Sequence, residues 1–179
     1  MKSNRNSTKT SKDFWKKEAD SNHIRKRDIS DLPYIIIPCD DLPFQESKDP
    51  ILEQIQNKVL ELKDKKILNL TGITNTDLKL TYGTANLNVL MEYDANYAEL
   101  VRTLRRWAAY LLEHNAIEEA TIVLEFSIQC KTDISYCYES LANLYAADQR
   151  HDKINDLIQI ASSLNSINKT VIINRLCQR

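Results

Sequence analysis

Two segments, Leu104-Arg105-Arg106-Trp107-Ala108-Ala109-Tyr110-Leu111 and Tyr138-Glu139-Ser140-Leu141-Ala142-Asn143-Leu144-Tyr145, repeat one pattern of large, large, small and large side chains at an offset of 34 residues. The echo continues downstream, where Ala120, Leu124 and Ser127 have Ile154, Ile158 and Ala161 as their partners at the same offset. Apolar positions three and four residues apart describe one face of a helix, and a fixed period of this length predicts stacked helical hairpins. Ala108 and Ala142 leave room for the two helices of a hairpin to approach, so that ridges of one enter grooves of the other.

The surroundings favour helices. After Gly83 the chain runs 96 residues without glycine or proline, residues that cost about 1 and about 3 kcal/mol inside a helix. The spacing predicts helices over Leu87–Tyr93, Tyr97–Glu113 and Ile117–Gln129, one capped by Asp133 and running to Ala147, another over Lys153–Leu164, and a short last one capped by Asn168. Asn115 suits the left-handed turn between two of them. Further upstream, Ile51, Ile55, Val59 and Leu62 predict a helix from Pro50 to about Asp64, with Pro50 in its first turn. Residues 65–71 read as a connector. Thr74 starts another short helix that stops at Gly83.

The first fifty residues behave differently. Residues 1–27 carry nine cations against three carboxylates, a balance of +6. With little to bury, this segment is expected to be largely disordered, with a short helix from Ser11 bearing Phe14, Trp15 and Ala19. Residues 28–49 interleave Ile35, Ile36, Ile37, Leu42 and Phe44 with Pro33, Pro38 and Pro43. Proline at this spacing forbids a helix, and the apolar side chains predict an extended strap lying in the grooves of the helices.

Several chemistries are excluded. Gly72 and Gly83 are the two glycines, too few and too far apart for a P-loop, a dinucleotide fingerprint or a nucleophile elbow. His23, His114 and His151 and the four cysteines have no zinc-ligand spacing, so no catalytic residue, cofactor or metal is expected. Cys130 and Cys137 flank a turn between predicted helices, as small buried thiols do. The adjacent carboxylates Asp40-Asp41 and Glu118-Glu119 diverge along the backbone and make poor acid–base pairs. No apolar run reaches membrane-spanning length. A cytoplasmic protein is expected, one that can sit peripherally at a membrane.

At Leu104–Leu111 and Tyr138–Tyr145 the chain resembles the tetratricopeptide repeat family, whose unit is a helix–turn–helix of 34 residues. The second-helix signature is met by Ala120 and Leu124 and in part by Ile154 and Ile158; Thr132 and Ser166 stand where the family usually has proline. The resemblance implies repeats at 101–134 and 135–168, a capping helix at 169–179, and a helical domain over 50–179. Two repeats are fewer than the three or so such stacks need, so the strap and the helices before Val101 are expected to complete the core.

The resemblance also implies a concave groove lined by the first helix of each repeat. Arg102 and Arg105, with Tyr136, Glu139 and Asn143, would face it, and their guanidinium groups suit a carboxylate or acidic peptide. The family's carboxylate-binding asparagine is replaced by Ala109. A plainer reading makes Arg102, Arg105 and Arg106 a solvated face with Glu99 as helix partner, and residues 32–44 could fill the groove themselves. The basic segment, through Phe14, Trp15, Lys16, Lys17, Arg25, Lys26 and Arg27, can be a solvated tail, a contact for an anionic membrane surface or, least favoured, for nucleic acid. The expected function is that of a non-enzymatic adaptor binding a protein or peptide, or alternatively an accessory subunit of a larger assembly. An enzyme of another type is the remote alternative.

Overall fold

The computed structural model describes Asp13 and residues 15–178, and among these every regular element is helical. Helix α1 covers residues 15–21. It is followed by α2 (Pro50–Leu60), α3 (Asn75–Tyr82), a single 3-10 turn (Thr84–Asn86), α4 (Leu87–Glu113), α5 (Ile117–Gln129), α6 (Ser135–Ala147), α7 (His151–Ser162) and α8 (Lys169–Leu176). The all-α expectation holds. Residues 1–12 and Phe14, with the proposed Ser11 cap, lie outside the described residues.

The 34-residue echo is written into the backbone as well as the side chains. Helices α5 and α7 begin at Ile117 and His151, and α6 and α8 at Ser135 and Lys169, each pair offset by 34. Asn115 and Gln149, again 34 apart, both take a left-handed φ of 57°. Each turn is closed by the same bond, from Ala116 N–H to the Leu111 carbonyl and from Arg150 N–H to the Tyr145 carbonyl. These bonds satisfy carbonyls that a helix end leaves without partners. Every large or small position of the two quoted segments is buried. Helix α6 packs against α5, α7 and α8, and α7 also packs against α8.

The chain forms two compact units. The first takes in the described residues up to Pro33 together with Ile73–Glu92. Within it, residues 15–27 are held rather than loose. Lys17 pairs with Asp77 at 2.7 Å, and Glu18 accepts from Lys79 and Thr76. The buried Asn86 amide donates to the Arg27 and Tyr82 carbonyls at 2.7 and 2.8 Å, and Arg27 N–H donates to Tyr82 at 3.0 Å. Gly83, at φ 87°, lets this segment pass: a Cβ there would stand 2.3 Å from the Arg25 carbonyl oxygen.

The second unit comprises Tyr34–Gly72 and the chain from Tyr93 onward. Its core gathers Leu52, Ile55, Val59, Leu62, Ile67 and the inner faces of α4 through α8. Residues 34–49 run across it without helix or strand. Ile37 and Leu42 are buried, the Phe44 ring lies 4.9 Å from Trp107, and Ile35 N–H donates to the Ile67 carbonyl. Gln56 reads the strap's backbone, accepting from Gln45 N–H at 2.7 Å and donating to its carbonyl at 2.9 Å. Ile36 points to solvent, because successive residues of an extended chain face opposite sides.

Four expectations are corrected. The helices expected at 87–93 and 97–113 are one, α4. Asp94 and Asn96, which look like turn residues, bond instead to the connector, at Leu70 N–H and the Lys66 carbonyl. Helix α2 stops at Leu60 and buries Leu52, Ile55, Gln56 and Val59, leaving Ile51 more than half exposed. Helix α7 starts and ends about two residues earlier than expected. Asp133 and Asn168 do not cap their helices with side chains: Asp133 accepts from Ser166 Oγ at 2.6 Å and Asn168 Nδ2 at 3.2 Å, joining the two inter-hairpin turns.

Candidate functional site

Helices α4, α6 and α8 share a strip of outward-facing polar side chains. Its positions follow the 34-residue period, since Arg102 and Tyr136 are equivalent, as are Arg105 and Glu139. On α4, Leu104, Trp107, Ala108 and Leu111 turn to the core, which forces Arg102, Arg105 and Arg106 outward, and all three are exposed. On α6, burial of Cys137, Tyr138, Leu141 and Ala142 likewise turns Tyr136, Glu139 and Asn143 out.

Two contacts stitch the strip together. The Arg105 guanidinium carbon stands 4.8 Å from the centre of the Tyr136 ring, joining α4 to α6. One turn further along α6, Glu139 forms an ion pair with Arg175 of α8. A guanidinium over an aromatic face keeps its N–H edge free for an anion, because only its plane is engaged. Of the expected groove residues, then, Arg105 and Tyr136 are in contact and Glu139 is turned toward α8. Arg102 and Asn143 stand in solvent, and Arg102 enters no ion pair among the described residues. The plainer reading fails in one particular: Glu99 faces Lys58 at 4.0 Å rather than an arginine of its own helix.

Residues of the strap make their contacts elsewhere. Phe44 meets Trp107, Asp49 accepts from Tyr110 Oη at 2.7 Å, and Tyr34 and Tyr93 both lie against Lys66. Arg102, Arg105 and Asn143 remain exposed. Arg175 was not among the residues singled out from the sequence. The 34-residue period does not mark it: carried back along the chain, Arg175 falls on Leu141 and Trp107, both buried.

In the first unit, Trp15, Lys16, Lys17, Arg25, Lys26 and Arg27 are exposed, and Lys17 is spent on Asp77. Phe14 lies outside the described residues. Carboxylates are interleaved among these cations, at Asp13, Asp20 and Asp28.

The titratable groups offer little for catalysis. Burial pushes the Cys130 thiol up to about 12 and raises that of Cys137, so both stay protonated at neutral pH. All four cysteines are free thiols. The Tyr138 hydroxyl is raised by burial too, and it has no hydrogen-bond partner among the described residues. His114 stacks on Tyr110, with ring centres 4.0 Å apart. No group of three or more His, Cys, Asp or Glu side chains converges as a metal site among the described residues, and no helix there is long and apolar enough to cross a membrane. Compared with models of protein families, with characterised proteins and with solved structures, the chain has no significant match.

Proposed function

We propose that this chain is a non-catalytic protein–protein interaction module of the tetratricopeptide-like kind, which receives an acidic segment of a partner on the strip formed by α4, α6 and α8. The observation that carries this reading is the Arg105–Tyr136 contact. It joins the first helices of successive hairpins, the arrangement that lines the groove of such repeats, and it leaves the arginine edge open to an anion. The exposure of Arg102 and Asn143 beside it supports an open groove rather than one occupied by the strap.

The test is reversal of charge. Arg102→Glu/Arg105→Glu is expected to lose at least tenfold in affinity for an acidic partner peptide, because two attractive contacts become repulsive. Affinity capture from the native cell, quantified against wild type, provides the second readout. A partner set unchanged by the double substitution removes the strip from consideration.

A second reading, an accessory subunit held at an anionic membrane surface, draws on the exposed Trp15, Lys16, Arg25, Lys26 and Arg27. Each such cation contributes about 1 kcal/mol near an anionic surface. Co-sedimentation with phosphatidylglycerol vesicles, with Arg25, Lys26 and Arg27 changed to glutamine as control, tests it. A cytoplasmic location, with or without this peripheral contact, belongs to the same proposal.

A further inference from the structure

The strip of α4, α6 and α8 holds four arginines, Arg102, Arg105, Arg106 and Arg175, against two carboxylates, Glu139 and Glu99, and Glu99 faces Lys58 at 4.0 Å. Glu139 is placed on Arg175, and the pair is open to water, with half of the Arg175 side chain and about a quarter of the Glu139 side chain accessible. Elsewhere on the strip Arg105 lies on Tyr136, and Arg102 and Arg106 enter no ion pair among the described residues. Of the four arginines, Arg175 is therefore the one that carries a carboxylate of the strip among the described residues.

From this placement we infer that Glu139 is an internal competitor for the acidic ligand, and that Arg175 is a further anion-binding residue which the ligand reaches by displacing it. The inference rests on the proposed function above. A carboxylate of the partner replaces one of the same chemistry on the same guanidinium, so the exchange leaves Arg175 paired. Exposed pairs of this kind hold by no more than about 1 kcal/mol, weak enough for a polyvalent acidic segment to open. Ordering of the ligand along the strip then runs from Arg102 and Arg105 on α4 to Arg175 on α8. Glu139 sets a threshold: a ligand with one carboxylate gains little from Arg175, whereas one with several, spaced along an extended chain, engages both ends. The partner it fits is accordingly a polyacidic protein segment rather than a single terminal carboxylate.

A double-substitution cycle on the full chain tests this, with a fluorescently labelled oligo-glutamate peptide as probe and anisotropy as readout. Glu139→Gln is expected to tighten binding about threefold, the release of one exposed pair. Arg175→Gln alone should weaken it, since the probe loses its contact on α8 and Glu139 is left without that guanidinium; undiminished binding refutes Arg175 as an anion-binding residue. The combined variant decides the mechanism: the gain must disappear when Arg175 is absent. If Glu139→Gln tightens binding equally with and without Arg175, the effect is the general field of a removed charge and the competitor is refuted. No gain, or a loss, in Glu139→Gln refutes it too. Should the cycle be flat while Arg102→Glu/Arg105→Glu still abolishes binding, the internal competitor falls and the interaction strip stands. Indifference of the probe to all of these variants, or tighter binding of a single-stranded oligonucleotide at the same ionic strength, overturns the strip itself. Thermal melts followed by circular dichroism establish that each variant is folded.

Discussion

Ala108 and Ala142 are fully buried within the core of the second unit. A larger side chain has no void to enter, so its added carbons must displace a neighbour or leave their rotamer wells. Ala108→Leu and Ala142→Leu are each expected to lower stability by about 1–3 kcal/mol. Urea unfolding with unchanged slope checks this; a loss under about 0.5 kcal/mol in both would show loose packing at the crossing. These two positions were legible in the sequence because a small residue between large ones at helical spacing has one structural use. Arg175 was not, since nothing within α8 itself marks its partner. Asp133 misled for a related reason: a carboxylate just before a helix is a good cap, yet here it accepts from Ser166 and Asn168, 33 and 35 residues further along the chain.

Helix α2 shows how an element is fixed from both ends of its neighbourhood. Asp49 caps it by accepting from Ile51 N–H at 2.8 Å, and the same carboxylate accepts from Tyr110 of α4. The Tyr110 hydroxyl, first, and the Ile51 N–H hold the Asp49 carboxyl below its ordinary value. A depressed carboxyl pKa contributes stability above the unfolded value of about 4, and that contribution is lost as pH falls through the folded value. The chain is therefore expected to lose stability on acidification below about pH 4, and Tyr110→Phe should flatten that loss. Chemical denaturation of the two proteins between pH 3 and pH 7 measures it; parallel curves would show that Tyr110 takes no part. Helix α4 makes a second point at this scale. Asp94 and Asn96 carry weak helix propensity, so the sequence suggests a break, but no glycine or proline enforces one. Their side chains find partners on the 65–71 connector, and the helix continues through them.

For the molecule as a whole, residues 34–49 supply part of the core of the second unit. Phe44 covers Trp107, and Ile37 and Leu42 enter the core of the second unit. Deleting residues 28–49 is expected to yield a protein that binds a hydrophobic dye and melts without cooperativity. A cooperative melt at the wild-type temperature would make the strap dispensable. By itself the sequence determined the helical class, the 34-residue echo, the Asn115 turn and the core faces of α4 through α6, because each depends on side-chain spacing along a short stretch of chain. Only the tertiary structure decided that α4 is unbroken, that Ile51 and Ile36 face water, that Glu99 serves Lys58, and that Glu139 meets Arg175. The pairings among them join residues 24 to 41 positions apart, and pairing over such distances is settled by which surfaces pack together. The echo predicted helices that repeat; packing selected which of their outward residues stay exposed.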